Sequence, residues 1–191
     1  MEKIWLKHYP EKVSSTIGNL KFNSIVDLMK NSSSLFPNHT AFTNLNTQLS
    51  YKKIDKYSEK FGAYLQNQLS ITKDSKVAIM LPNLLTYPVA LFGSYLAGAT
   101  VININPLFKS REIENTLNDS KAETIIVLDR FISELEPIVK NTLIKNIIVC
   151  KVTDLLSPAM AALVKTVVFF KGPKVSLNSD YLLFSDGLKN S

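Results

Sequence analysis

Two hydrophobic rhythms divide the chain. Over residues 51–69 the apolar positions Ile54, Tyr57, Phe61, Tyr64, Leu65 and Leu69 recur at helical spacing with lysines between them. That pattern predicts an amphipathic helix, with Ser50 placed to cap it. Tyr57, Phe61 and Tyr64 read as its core-facing aromatic stripe. From Lys76 onward the rhythm changes to short continuous apolar runs at 77–81, 99–104, 124–128 and 146–151. Such runs do not alternate between inside and outside, as expected of parallel strands covered by helices on both faces. Between them the spacing predicts a helix over 83–97 that stops at Gly98 in a left-handed cap. A second helix, capped by Ser110, carries Glu112 and Glu114 in its first turn. A third, over 132–140, is interrupted by Pro137. Three successive βα repeats predict an α/β fold, a doubly wound and mostly parallel sheet with right-handed crossovers.

Before this winding, residues 1–23 read as an irregular arm, with Trp5 and Tyr9-Pro10 expected to clamp it onto the body. Ser24 is a candidate cap for a helix containing Ile25, Leu28 and Met29 and closed by Pro37. Residues 40–43 and 48–50 flank Asn44-Leu45-Asn46 as a hairpin. The winding is assigned to 24–152. Residues 153–191 read as an apolar segment, 155–170, followed by a polar tail of little periodicity. The apolar segment contains Pro158 and Lys165 and is shorter than the ~20 residues a bilayer span needs, so it is expected to lie on a membrane or bury in a partner. The tail has no capping element, and the fold is expected to be incomplete.

Composition adds limits rather than a function. The 191 residues are 46% hydrophobic and 20% charged, an ordinary globular balance. A net charge of +6 and a pI near 9.3 suit anionic lipid or a polyanionic substrate such as a nucleotide or coenzyme A. Lys52, Lys53, Lys56 and Lys60 are interrupted by Asp55 and Glu59, which describes a solvated helix face and argues against a nucleic-acid partner. The single cysteine, Cys150, lies in an apolar run and reads as a buried structural thiol.

Local catalytic signatures are missing. None of the six glycines is spaced for a dinucleotide fingerprint, and none precedes the Lys-Ser/Thr pair of a phosphate loop. His8 and His39 stand alone, without partners at metal-ligand spacing, and read as surface residues. No serine has the surroundings of a nucleophile elbow. Glu112, Glu114 and Asp119 are explained by helix-end electrostatics.

The sequence blocks nevertheless carry a resemblance. Val77-Ala78-Ile79-Met80-Leu81-Pro82-Asn83, Tyr87-Pro88-Val89-Ala90-Leu91-Phe92-Gly93, Ala97-Gly98-Ala99 and Asn103-Ile104-Asn105-Pro106-Leu107 resemble the amino-terminal region of AMP-forming acyl-CoA synthetases. The resemblance is nearest to bacterial long-chain fatty-acid–CoA ligases of the adenylate-forming superfamily. Arg111-Glu112-Ile113-Glu114, Leu117-Asn118-Asp119-Ser120, Leu49-Ser50-Tyr51, Ile4-Trp5-Leu6 and Tyr9-Pro10 extend it over about residues 1–150.

The resemblance implies the amino-terminal subdomain of an enzyme that joins a fatty acid to ATP as an acyl-adenylate and then passes the acyl group to coenzyme A. It implies ATP, Mg2+ and CoA as cofactors or substrates of the whole enzyme. It also implies a cytoplasmic location with peripheral contact at the inner face of a membrane, and is compatible with a homodimer. The family's phosphate loop, adenine-binding segment and catalytic lysine lie beyond Ser191. No catalytic, cofactor-binding or metal residue is therefore carried onto this chain, which is expected to be inactive alone and to bind none of these ligands tightly. The alternative is a non-catalytic interaction or membrane-associated module built on the same scaffold.

Overall fold

A computed structural model describes residues 3–171 and 179–189. The expected stretch 172–178 and the last two residues lie outside the described residues.

The helix α1 (Ile25–Leu35) starts where Ser24 Oγ accepts the Asp27 N–H at 3.0 Å. The strands β1 (Thr40–Asn44) and β2 (Thr47–Ser50) pair antiparallel through a two-residue turn. Leu45 and Asn46 both have positive φ there, the twist that matches flanking strands in such hairpins. Ser50 Oγ then caps α2 (Tyr51–Leu69) by accepting the Lys53 N–H. Phe61 and Tyr64 are buried as the stripe predicts; Tyr57 is only partly covered.

The main sheet contains β3 (Lys76–Met80), β4 (Thr100–Asn103), β5 (Thr124–Leu128), β6 (Asn146–Cys150) and β7 (Leu182–Leu183). All pairings are parallel, in the spatial order β4-β3-β5-β6-β7. The chain therefore steps outward from β3 to β4, then reverses past β3 to continue through β5. Crossovers of one hand that reverse direction must place their helices on opposite faces. The core shows this. The connecting helix α3 (Thr86–Leu96) packs with α2 on one face over Val77, Ile79, Ile126 and Ile148. On the other face α4 (Ser110–Ser120) and α5 (Ile132–Leu135) cover Ala78, Met80, Ile125 and Val127.

Two helix starts differ from the sequence reading. α3 begins at Thr86, not at 83, because Pro88 has no N–H and fits only the first helical turn, where amides lack intrahelical acceptors. Its end agrees: Gly98, at φ 88°, donates to Tyr95 O while Ala99 donates to Ser94 O, closing the left-handed cap. In α4 the capping position belongs to Lys109, whose backbone N–H donates to Glu112 Oε2 at 3.0 Å, and Ser110 is the first helical residue. The expected helix over 132–140 shortens to α5 flanked by 3-10 turns at Asp129–Phe131 and Val139–Asn141.

Two other expectations are corrected. Trp5 and Tyr9 remain about half exposed on an arm that forms a 3-10 turn at Ile4–His8, so no clamp forms. The tail is not irregular throughout: β7 extends the sheet, and Phe184 after it is fully buried against Phe61, ring centroids 4.8 Å apart. Lys60 Nζ fastens the following turn by donating to Leu188 O at 3.0 Å. The apolar segment forms α6 (Pro158–Lys171).

α2 and α3 approach closely because their contact is lined by small residues. A Cβ on Gly62 would stand 2.9 Å from Gly93 O, and one on Gly93 would stand 2.8 Å from Phe61 Cδ1. Gly93→Ala is expected to destabilise the fold by about 1–3 kcal/mol in urea unfolding, the usual cost of overpacking. Phe184→Ala should cost about 3–5 kcal/mol if the tail is part of the core, against nearly nothing for a dispensable tail.

Candidate functional site

In an open parallel sheet the ligand crevice lies outside the carboxyl ends of the strands, where the strand order reverses. Here that point falls between β3 and β5. Its rim is formed by Leu81-Pro82-Asn83 after β3, Asn103 to Pro106 at the end of β4, Asp129-Arg130 after β5, and Lys151 to Asp154 after β6.

The β3–β4 side is tied by amides and a phenol. Asn44 reaches from the hairpin to donate through Nδ2 to Asn83 O at 2.9 Å, tying the hairpin to the loop after β3. Tyr87, in the first turn of α3, donates its hydroxyl to Asn103 Oδ1 at 3.0 Å. Asn105 Oδ1 accepts the Leu107 N–H at 3.0 Å, folding the chain away from the rim before α4.

On the second face Glu134 of α5 draws the start of α4 against it. Its carboxylate accepts from Lys109 Nζ at 2.9 Å, from Ser110 Oγ at 3.0 Å and from Ser110 N at 3.2 Å. The Lys109 and Ser110 bonds hold the Glu134 carboxyl below its ordinary range. The positive end of α4 is thus already neutralised by Glu112 and Glu134.

The β5–β6 side is acidic. Burial pushes Asp129 and Asp154 above the usual carboxylate range, although each accepts a backbone N–H at 2.8 Å, from Arg130 and Lys151 respectively. Asp129 and Asp186 add repulsion at Asp154. Burial likewise raises the thiol of Cys150, fully buried at the end of β6, well above its normal value, so it is a structural thiol as expected. His8 and His39 are exposed, as expected of surface residues.

This rim does not fit a magnesium–triphosphate group. Among the described residues no three of His, Cys, Asp and Glu converge. The α4 N-terminus is filled by Glu112 of α4 and Glu134 of α5. At the α3 N-terminus the Tyr87 N–H is given to Leu84 O, and Pro88 has none to offer. Among the described residues the two glycines with positive φ, Gly18 and Gly98, lie in the arm and in a helix cap. The arrangement can shape a crevice wall and fix its strand ends, and no catalytic step is assigned to its side chains. Sequence reasoning missed the Asn44–Asn83 tie, the Glu134 clasp and the Asp129–Asp154 pair, which join positions distant in sequence or depend on burial.

The model of the AMP-binding enzyme family matches residues 29–176. The chain belongs to the AMP-binding enzyme family. This family member is 40% identical over 168 residues to the long-chain-fatty-acid–CoA ligase of Escherichia coli O157:H7, a match covering 88% of the chain and 30% of that relative. It is 28% identical over 155 residues to the enzyme of the same name from Bacillus subtilis (strain 168), covering 81% of the chain and 27% of the relative. The chain thus spans under a third of these curated relatives.

The fold is that of the amino-terminal subdomain of adenylate-forming ligases. The anthranilate CoA ligase AuaEII, solved with anthranoyl-AMP, superposes with a TM-score of 0.69 at 21% identity, over 86% of this chain and 27% of that one. A putative long-chain-fatty-acid CoA ligase from Rhodopseudomonas palustris CGA009 gives 0.69 at 15% identity, over 91% and 38%.

The raised carboxyls generate a signed prediction. Folded Asp154 binds its proton more tightly than the unfolded chain does. Its contribution to stability is therefore best below the unfolded value of about 3.9 and falls as pH rises through the folded value. Asp154→Asn keeps an acceptor for the Lys151 N–H and removes the charge. It should raise the urea midpoint at pH 7, with the gain disappearing by about pH 3.5; an equal gain at both pH values would contradict the burial argument.

Proposed function

We propose that this chain is the amino-terminal scaffold of a long-chain fatty-acid–CoA ligase, an AMP-forming acid–thiol ligase. The reaction consumes ATP, fatty acid and CoA and yields acyl-CoA, AMP and pyrophosphate. The observation that carries this reading is the 40% identity sustained over 88% of the chain. The structural matches support the scaffold alone.

ATP and Mg2+ would activate the carboxylate by making AMP its leaving group. In this chain the residues supply shape: β3 and β5 present their carboxyl ends, and the Asn44, Tyr87 and Glu134 bonds keep the rim in place. The grip on phosphates belongs to family sequence that lies outside these residues.

A second reading has one observation in its favour, the exposed apolar surface of α6: a non-catalytic module that meets a membrane. It is an alternative to the ligase reading, because a non-catalytic module would need none of the family's later sequence.

The chain by itself is expected to show no fatty-acid-dependent exchange of pyrophosphate into ATP. A chimera in which it replaces the matching 30% of the Escherichia coli O157:H7 relative should form long-chain acyl-CoA within about tenfold of the parent rate, a barrier change near 1.4 kcal/mol. Exchange by the isolated chain, or a folded but inactive chimera, would overturn the scaffold reading.

A further inference from the structure

α1 carries Ile25, Leu28 and Met29 at the spacing of one helical face. Such a face is normally covered. Here only Met29 is buried, while Leu28 is 46% exposed and Ile25 more so. The face looks toward the hairpin, α2 and α3, and an apolar groove runs between them. Met29 and Ile54 form its floor, with Ile25, Leu28, Phe42 and Phe92 along its sides, and its volume is about 240 Å³. Ile25 and Leu28 also line a second hollow of about 310 Å³, which ends at Leu20 to Ser24. The two form one channel along α1.

None of the lining residues belongs to the crevice rim, so this is a separate place on the molecule. Its hairpin wall is nevertheless tied to the rim by the bond from Asn44 to Asn83.

Size and polarity select the occupant. Apolar walls around a volume of this order suit a small ligand. The serine hydroxyls along α1 are already committed, Ser32 Oγ to Leu28 O at 2.8 Å and Ser24 Oγ to the Asp27 N–H. The tail of the ligand must therefore be hydrocarbon. From Ile25 to Ser32 the helix rises about 10 Å, a path for an extended alkyl chain. Among the described residues that line the channel, Lys21 alone is charged. Its Nζ stands 5.9 Å from the centre of the Phe22 ring. The next cation on α1, Lys30, is held by Asp55 at 2.8 Å and by Glu59. Asp27 is two positions from Ile25, hence turned roughly 200° away from the groove face. An apolar channel with one cation at one end matches an alkyl tail with one anionic head.

We propose that this channel is a second binding site, for the anion of a straight-chain aliphatic acid, with its tail along α1 and its carboxylate at Lys21. The acid is held there apart from the crevice, and no chemical step is assigned to the site. The inference stands on the groove and goes beyond the ligase reading without requiring it.

The test is titration calorimetry of the full chain, without ATP, using octanoate, decanoate and dodecanoate below their micelle concentrations. Decanol and decyltrimethylammonium serve as uncharged and cationic probes. One site is expected, with affinity rising about three- to fourfold per added methylene and decyltrimethylammonium at least about tenfold weaker than decanoate. Lys21→Gln should weaken decanoate by about two- to fivefold, the range of an exposed ion pair, and leave decanol unchanged. Leu28→Asp should weaken both by at least about tenfold. Leu28 is largely exposed, and the urea midpoint checks that this variant folds. Leu163→Asp, at an exposed position on α6, should change nothing. Affinity indifferent to chain length overturns the proposal, as does a Lys21→Gln variant that loses decanol equally. So does a folded Leu28→Asp variant that binds as before, or a loss caused by Leu163→Asp. Sedimentation in which decanoate and Leu28→Asp each dissolve a dimer would also overturn it, since the groove would then belong to a second copy. A failed chimera with decanoate binding intact would remove the ligase reading and leave this site standing; an active chimera and an isolated chain that ignores decanoate would do the reverse.

Discussion

Phe61 is buried because nothing larger than hydrogen stands opposite its ring at two places. Gly93 lets α3 pass within contact of it, and Gly187 lets the turn after β7 do the same, with added Cβ atoms 2.8 and 3.1 Å from ring carbons. Through this one side chain three separate stretches of sequence share a core: α2, α3 and the segment after β7. Steric permission at the glycines comes first, and apolar burial then supplies the stabilisation. The first face of the sheet is organised around that contact, and the orientation of α3 follows from it.

From α3 the constraint passes to the crevice. The first turn of α3 carries Tyr87, whose bond to Asn103 joins the end of β4 to the rim of β3. The opposite face has its own fastening, the Glu134 clasp on α4, and the acidic end of β5 and β6 lies between the two faces. The rim is therefore fastened where backbone ends are held by amides, and it carries the half-buried Asp129 and Asp154 at its β5–β6 end. A sheet edge of this kind is suited to receiving a ligand gripped by other loops.

Much of this was legible in the residues. Continuous apolar runs located β3, β5 and β6 to within a residue, because buried parallel strands need apolar side chains on both faces. Ser24, Ser50 and Gly98 marked helix ends through chemistry local to each of them. The start of α3 was misplaced because the apolar pattern runs back past Pro88, whereas the backbone cannot. Ser110 looked like a cap, yet its hydroxyl is committed to Glu134, a partner 24 residues away. β7 is two residues long, too short for any period to show, and is a strand only because β6 offers it an edge. The site was the least legible part: family membership is written in local blocks, while the polar ties of the rim and the burial of its aspartates arise only when distant segments meet.

The bond from Lys60 to Leu188 spans 128 positions, and the contact of Phe61 with Phe184 spans nearly as many. On a translating ribosome α2 would therefore emerge long before its packing partner is synthesised. Until residue 184 clears the exit tunnel, the aromatic stripe must remain unsealed, exposed to solvent or sheltered by a chaperone. The order of synthesis makes the end of this winding the latch for its beginning.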